Sequence, residues 1–326
     1  MIISKDSIIS DILQTLSPYF LDKVINITPI NRGYLNLKWK VTTQEDTYLV
    51  KQFNQDRLKK YDLDDLLYAL KQQKRLYNMN FPCPSIFFAM ETPLWQTDGG
   101  EIFMVMEFCP GETKPYGNLN SEEMYHFGKS TGRMHAILNK GATGNGMSAE
   151  FIPPSIEQRT IHWLKVEEEA NSKGKKDLLP FIKKQRLLTE QIDLNKLGLA
   201  DTGWAHRDLF LDNVLFHEGR VSAILDFDRL RYDYPKLDVA RAVISSALIN
   251  NNFNVELVSC YMAGYKEEIT CNDSFLIEGL RLLWYMESTW WIDAEMDKHV
   301  GPPIRFLEEM KWLQENYHEL EAILMD

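Results

Sequence analysis

The sequence predicts an α+β fold in two lobes: an N-terminal lobe with an antiparallel sheet and a helix, and a larger, mainly helical C-terminal lobe. Three observations lead to this prediction. The chain has 326 residues, which is long for a single hydrophobic core. Its first hundred or so residues read as mostly strand, whereas residues 157–196 and 236–326 have mostly helix-compatible spacing. We expect residues 1–108 to form the first lobe and residues 109–326 the second.

The N-terminal lobe is predicted to consist of strands around one helix. In LNLKWKV, apolar residues alternate with polar ones, as in a half-buried strand, and YLVKQF follows as a second strand. The segment LDDLLYALKQQKRLY has apolar residues at helical spacing, and FPCPS ends that helix because proline cannot continue one. EIFMVMEF is a continuous apolar run typical of a buried strand, and CPGE breaks it. A short connector near Cys109 should lead into the second lobe.

The C-terminal lobe is predicted to be helical except for one hairpin. Asn120 or Ser121 can cap the helix SEEMYHFGKSTGRMHAIL. Farther on, NVLF and VSAILDF read as two short strands joined by the turn HEGR. Asp208 and Asn213 precede the first of these strands and Asp226 ends the second. The hairpin should therefore bring these three side chains to one end.

Composition limits the partners and the compartment. The formal net charge is −11, and a field of that sign repels nucleic-acid phosphates and anionic membranes. It suits a cationic substrate, although it could serve solubility alone. The four cysteines form no CxxC pair, which argues against a zinc knuckle or a redox motif. No signal-peptide pattern opens the chain and no apolar run approaches 18 residues, so the cytoplasm is the expected compartment.

The segment WAHRDLFLDNVLF carries the residues that point to chemistry. A carboxylate and a carboxamide oxygen form a pair of hard ligands suited to Mg²⁺, which keeps water and phosphate as its other ligands. A further carboxylate that is not needed as a ligand can accept a proton from a hydroxyl group. Lys51 interrupts the apolar strand YLVKQF and is the candidate cation for phosphate groups, the alternative being a solvated lysine on an open sheet face. A base, a metal and a cation are what phosphoryl transfer requires.

Two motifs carry a resemblance to known kinases. HRDLFLDN matches the catalytic-loop pattern H-R-D-L-x-x-x-N, and DFD stands where kinases have D-F-G. The chain lacks the G-x-G-x-x-G-x-V loop and the A-P-E segment of protein kinases, and it resembles the aminoglycoside phosphotransferase-like kinases instead. That superfamily includes aminoglycoside, choline and bacterial homoserine kinases. NRGYLN, with Gly33 and Asn36, LDVARA, TGRMHAIL and MVMEFCPGE extend the resemblance over nearly the whole chain.

The resemblance implies a bilobal protein-kinase-like fold and an ATP- and Mg²⁺-dependent phosphotransferase. The acceptor would be the hydroxyl group of a small molecule, one that bears an amino group, such as an aminoglycoside, an amino acid like homoserine, an amino sugar or a choline-like molecule. Asp208 would be the base, Asn213 and Asp226 would hold Mg²⁺, and Lys51 would contact the α and β phosphates. The residues implied for adenine are the backbones of Glu107 and Cys109 and the side chains of Leu49, Leu215 and Leu225.

The pattern departs from the family at the expected partner of Lys51, which is usually a glutamate on the following helix. None stands at the expected place, and Asp64, Asp65 and Gln72 are the candidates. This gap supports the alternative hypothesis of a pseudokinase or nucleotide-binding scaffold without turnover. His206 and His135 are interpreted as structural, hydrogen-bonded histidines and Asp238 as a helix N-cap and loop brace.

The segment LLWYMESTWWIDAE is the candidate acceptor site. On a helix, Trp284, Glu287 and Trp291 fall on one face, and aromatic faces with a carboxylate suit a cation. The alternative is a buried aromatic stripe that packs the helix on its lobe. The sequence leaves open the acceptor, the choice between ATP and GTP, and the oligomeric state.

Overall fold

The computed structural model describes residues 5–19, 24–31, 36–59, 62–89, 91–141 and 147–325. Gly33, part of the predicted NRGYLN turn, lies outside these residues. Contacts divide the chain into two units. The first contains the described residues up to Glu112 together with Val214–His217 and Val221–Leu230; the second contains Thr113–Asn213, Glu218–Arg220 and the chain from Arg231 onward. Most of the predicted hairpin thus belongs to the first unit.

The described residues contain eleven α-helices. In chain order they are α1 Lys5–Leu16, α2 Gln55–Leu58, α3 Leu63–Asn78, α4 Ser121–Asn139, α5 Ile156–Ser172, α6 Leu179–Glu190, α7 Pro235–Ala247, α8 Val255–Lys266, α9 Phe275–Trp291, α10 Pro302–Glu315 and α11 Leu320–Met325. None of these helices is long and apolar enough to cross a membrane.

Twelve short strands accompany the helices in the same residues. They are β1 Asn26–Pro29, β2 Leu37–Thr42, β3 Thr47–Gln52, β4 Ile86–Phe87, β5 Trp95–Gln96, β6 Ile102–Glu107, β7 Gly203–Ala205, β8 Val214–His217, β9 Arg220–Ile224, β10 Arg231–Asp233, β11 Leu248–Ile249 and β12 Asn252–Phe253. The strands and the helix predicted for the N-terminal part correspond to β2, β3, α3 and β6, and β8 with β9 forms the predicted hairpin.

The first unit is built on an antiparallel sheet with the strand order β1-β2-β3-β6-β4, in which β5 also pairs with β6. Alternate residues of β6 face opposite sides, so that Phe103 and Val105 join one apolar cluster and Met104 and Met106 join another. Helix α1 covers the first cluster and α3 contributes to the second. The prediction of mostly strand missed α1, whose apolar residues from Ile8 to Leu16 recur at helical spacing.

The second unit is mainly helical, as predicted. Helix α4 begins at a capping box in which Asn120 accepts from the Glu123 N–H and Glu123 accepts from the Asn120 N–H. Helices α4 and α8 pack closely because Gly128 leaves room for the α8 backbone: a Cβ at that position would lie 1.9 Å from the Tyr261 carbonyl oxygen. Between the helices, β7 pairs with β10 and leads directly into the segment that begins at His206.

Candidate active site

The loop that carries HRDLFLDN is held by a buried carboxylate, Asp238. The backbone N–H of Arg207 donates to Asp238 Oδ1 over 2.8 Å, and the N–H of His206 donates to Oδ2 over 2.5 Å. The prediction that Asp238 braces the loop is confirmed. The prediction that it caps a helix is wrong, because α7 begins at Pro235 after Tyr234 and places Asp238 inside the first turn.

Two histidines complete this brace. His135 Nε2 lies 3.2 Å from Asp238 Oδ2, and its Nδ1 lies 3.1 Å from the Tyr265 hydroxyl. Burial raises the pKa of Asp238, but the hydrogen bond and charge of His135, with the charges of His206 and Arg241, lower that pKa below its ordinary value. The carboxylate therefore stays ionised as a hydrogen-bond acceptor for the loop. The structural interpretation of both histidines is confirmed, since His206 Nδ1 accepts from the Asp208 N–H over 3.2 Å.

The residue before Asp208 has a backbone conformation that non-glycine residues rarely adopt. Arg207 has φ 67°, in the left-handed region. Its side chain is anchored by ion pairs with Asp233, 2.9 Å from Nε, and Glu150, 3.1 Å from Nη1. Burial raises the pKa of Asp233 to about 6, against the charges of Arg207 and Arg241. A strained backbone held this firmly is typical of functional loops and fixes the direction of the next residue, Asp208.

Asp208 and Asn213 are coupled within the loop. The Asn213 side-chain amide donates to the Asp208 carbonyl oxygen over 2.8 Å and to Asp208 Oδ2 over 3.3 Å. Because both contacts use the amide nitrogen, they set the orientation of the Asn213 side chain. Both residues are half-buried. The loop therefore presents a carboxylate and an amide oxygen together in the second unit.

The first unit contains Lys51 and Asp226. Lys51 lies in β3 with only 2% of its side chain exposed, and its Nζ lies 2.7 Å from Asp226 Oδ1 and 2.6 Å from Asp228 Oδ2. The alternative of a solvated lysine is therefore wrong. Burial lowers the pKa of Lys51, but the two carboxylates raise it above its ordinary value, so the ammonium stays charged. Asp226 follows β9 and itself has φ 63°, so a candidate site residue adopts the left-handed conformation here.

The lysine's second partner is Asp228. Asp64 and Asp65, proposed from the sequence, are exposed residues of α3, and the half-buried Gln72 accepts from Arg75 Nη1 over 3.2 Å. Asp228 instead reaches Lys51 from the position where kinases have the glycine of D-F-G. A carboxylate two residues after Asp226 can hold the ammonium in place of a helix glutamate. The missing helix glutamate, which favoured the pseudokinase hypothesis, is thereby explained.

We predict that Asp228→Asn weakens nucleotide binding. Lys51 keeps Asp226 but loses the carboxylate at 2.6 Å that fixes its position, so KM for ATP should rise about tenfold, as for one charged hydrogen bond. Steady-state kinetics with varied ATP measures this effect. Asp64→Asn, on the exposed face of α3, is the control and should leave KM unchanged. An unchanged KM in Asp228→Asn would contradict the positioning role.

The residues predicted to contact adenine all belong to the first unit. Leu49 in β3, Leu215 in β8 and Leu225 after β9 are half-buried. Glu107 ends β6, where its N–H donates to the Ser85 carbonyl oxygen over 2.9 Å, and the buried Cys109 follows in the connector. Burial is the main cause that raises the pKa of the Cys109 thiol to about 12, and the nearby charge of Glu107 adds to it. The thiol is therefore unreactive, and the side chain serves to pack the core. The adenine contacts themselves stay a prediction.

The predicted magnesium ligands are chemically suited to that ion. The described residues contain no group of three or more His, Cys, Asp or Glu side chains that could hold a metal. Mg²⁺ typically needs only one or two carboxylates besides water and phosphate oxygens. The Asp226 carboxylate, 27% exposed, and the amide oxygen of Asn213 are oxygen donors of this kind.

The predicted acceptor residues on α9 do not form a single exposed face. Trp284 is fully buried and donates from Nε1 to Gln185 Oε1 over 2.9 Å. Glu287 is 3% exposed, and its Oε1 accepts from Arg241 Nε over 2.8 Å and Nη2 over 2.6 Å. Trp291, at the end of the helix, is half-buried. For Trp284 the structure supports the packing alternative, because its ring and its N–H are both used inside the lobe; acceptor binding by Glu287 and Trp291 stays a prediction.

The comparisons with known proteins identify the family. The sequence pattern of the phosphotransferase enzyme family (APH) matches residues 26–274, more than half of the chain. The chain belongs to this family. It is similar to the homoserine kinase of Zymomonas mobilis subsp. mobilis, with 21% identity over 313 residues that cover 90% of each chain. The predicted enzyme class, a phosphotransferase acting on small molecules, is confirmed by this membership.

Two solved structures confirm the predicted fold class of this phosphotransferase. An amicoumacin kinase in complex with AMP-PNP and Ca²⁺ aligns with a TM-score of 0.62 and 15% identity, covering 97% of this chain and 100% of its own. A microcompartment-associated aminopropanol kinase aligns with a TM-score of 0.64 and 16% identity, covering 98% and 99%. Both likenesses concern the fold alone.

Proposed function

We propose that this phosphotransferase transfers the γ-phosphoryl group of ATP, supplied as its Mg²⁺ complex, to a hydroxyl group of a small molecule that bears an amino group. The observation that carries the proposal is the Asp208–Asn213 pair, oriented by hydrogen bonds on a loop that the buried Asp238 holds. A half-buried carboxylate on a rigid loop suits a base for a hydroxyl proton.

Each residue then has one task. Asp208 accepts the proton of the acceptor hydroxyl as that oxygen attacks phosphorus. Lys51, positioned by Asp228, contacts the α and β phosphates. Asn213 and Asp226 would hold Mg²⁺, which would neutralise phosphate charge. Leu49, Leu215 and Leu225 enclose the adenine ring, which the backbone at Glu107 and Cys109 hydrogen-bonds.

The first acceptor to test is L-homoserine. The Zymomonas relative is a homoserine kinase, and one of the structural neighbours is an aminopropanol kinase. Both names describe small alcohols with an amino group, and the net charge of −11 favours such cationic groups. We place the reaction in the cytoplasm, where ATP is available.

The experiment that tests the proposal is ADP release by the purified protein. We expect release that requires both Mg²⁺ and a hydroxyl acceptor from a panel of homoserine, aminopropanol, choline and aminoglycosides. Magnesium removal with a chelator should stop it. Magnesium-dependent ATP binding without ADP release from any acceptor would favour the pseudokinase alternative instead.

A further inference from the structure

A cluster in the second unit, which no motif indicated, surrounds Arg305. This side chain in α10 is 15% exposed, and its guanidinium lies 4.0 Å from the centre of the Tyr116 ring and 4.3 Å from that of Phe306. The Trp291 ring stacks on Phe306, with 4.3 Å between the two ring centres. We call Tyr116, Arg305, Phe306, Trp291 and Glu309 the Arg305 cluster. A guanidinium that lies against two aromatic rings has little freedom to move before a ligand binds.

The hydrogen-bonding capacity of this cluster is largely unused within the described residues. Arg305 Nε and Nη2 and both carboxylate oxygens of Glu309 are buried without a hydrogen-bond partner. The Nε–Oε1 distance between the two is 3.2 Å, but the geometry does not make a hydrogen bond. The Trp291 Nε1 is also buried and unpartnered. Buried donors and acceptors are almost always paired, so several in one place indicate a ligand.

The positive charge of Arg305 is only partly compensated. Glu309 is 2% exposed, and its burial raises the pKa of its carboxyl group to about 8, although Arg305 lowers it and Glu287 and Asp212 raise it further. A carboxyl group whose pKa is raised in this way compensates the charge of the guanidinium less than an exposed carboxylate would. The remaining acid is Asp212, whose Oδ1 lies 3.4 Å from Arg305 Nη1 but whose side chain is 51% exposed, so water screens the pair.

The cluster adjoins the catalytic loop. Arg305 contacts Asp212 and lies 5.3 Å from the centre of the Phe210 ring, and the Phe210 ring lies 5.0 Å from that of Phe306. Phe210 and Asp212 follow the proposed base, Asp208, by two and four residues in the same loop. All of these residues belong to the second unit. An acceptor with its hydroxyl group at Asp208 would thus have a guanidinium beside the same loop.

We propose that Arg305 binds the carboxylate of the acceptor, so that the substrate class is a hydroxy acid carrying an amino group, a hydroxylated amino acid, and not a simple amino alcohol. This inference rests on the proposed function and narrows it. The fork of Nε and Nη2 matches the two oxygens of a carboxylate. The Tyr116 and Phe306 rings lie against the guanidinium and restrict its movement.

Calorimetric titration with three related acceptors tests the proposal. L-homoserine has both charged groups, 3-aminopropan-1-ol lacks the carboxylate, and 4-hydroxybutyrate lacks the ammonium. We expect the wild-type protein to bind homoserine at least about tenfold more tightly than 3-aminopropan-1-ol, the equivalent of one charged hydrogen bond. Arg305→Met should weaken homoserine binding about 10–100-fold and leave 3-aminopropan-1-ol binding unchanged. Arg305→Lys should fall between the two, because it keeps the charge and loses the fork.

The matched control is Arg281→Met. Arg281 is also 15% exposed, pairs with Glu321 at 3.0 Å and lies 5.5 Å from the centre of the Tyr317 ring, so it loses a comparable set of contacts away from the loop. It should leave the affinity for all three acceptors unchanged. If Arg305→Met fails to fold, as its melting temperature would show, the order of the three wild-type affinities still tests whether the acceptor carboxylate is recognised.

Three outcomes overturn the inference. The wild-type protein could bind 3-aminopropan-1-ol as tightly as homoserine or more tightly, or it could bind neither homoserine nor 4-hydroxybutyrate. Arg305→Met could also lose the same factor of affinity for homoserine and for 3-aminopropan-1-ol. ADP release separates these from a failure of the proposed function. Release with 3-aminopropan-1-ol alone contradicts carboxylate recognition and leaves the kinase assignment intact. Carboxylate-dependent binding without ADP release from any acceptor contradicts the kinase assignment and leaves the Arg305 site intact.

Discussion

Asp208→Asn should lower turnover about 10²–10⁴-fold, the usual contribution of a positioned general base. Asparagine has nearly the same size, so the loop should keep its hydrogen bonds to Asp238, which come from the backbone of His206 and Arg207. What is lost is the proton acceptor. Steady-state ADP release at saturating ATP and acceptor measures the effect, and calorimetric titration of ATP should show unchanged nucleotide affinity.

The control for this variant removes a carboxylate elsewhere in the same unit. Asp201 is 61% exposed and pairs with Lys236 at 3.0 Å. Asp201→Asn should retain turnover within about twofold, because the Asp201 carboxylate is exposed and the buried Lys236 keeps Glu278 at 2.7 Å. Turnover of Asp208→Asn within a factor of ten of the wild-type value would show that another group accepts the proton.

The loop itself could be predicted because its information is local. Asp208 and Asn213 lie five residues apart, and their coupling follows from one short turn that ends in a 3₁₀ helix at Leu211–Asn213. The bracing of the loop by Asp238 was also predictable from its position near the start of α7. Asp238 does not cap the helix, and the cause is local: Pro235 occupies the first helical position, so α7 begins before Asp238.

The partner of Lys51 could not be predicted in the same way. Asp228 is 177 residues away along the chain, and the family pattern directs attention to the helix after the lysine. The chain returns to the first unit at β9, where the Ile224 N–H donates to the Pro82 carbonyl oxygen over 2.9 Å, and the segment that follows carries Asp228 to the lysine. The sequence shows a carboxylate at the glycine position of D-F-G, but it does not show that this carboxylate pairs with Lys51.

The acceptor side shows the limit of helical periodicity. Residues three and seven apart share a helix face, but periodicity does not say whether that face meets a ligand or the interior. Trp284 meets the interior, and Glu287 meets Arg241. The Arg305 cluster was missed because its members come from widely separated segments, Tyr116, Trp291 and residues 305–309, and no spacing rule connects them.

Asp226→Asn should remove the dependence of ATP binding on Mg²⁺ and lower turnover about 10²–10³-fold, since a bound metal contributes several kcal/mol to phosphoryl transfer. Asparagine is the suitable replacement because it tolerates the left-handed backbone at φ 63°, which alanine does not. The fold should persist, since Lys51 keeps Asp228 at 2.6 Å and is not left as an unpaired buried charge. Calorimetric titration of ATP with Mg²⁺ and with a chelator gives the ratio of the two affinities, which should fall to near one in the variant. A ratio equal to that of the wild-type protein would assign the metal to other residues.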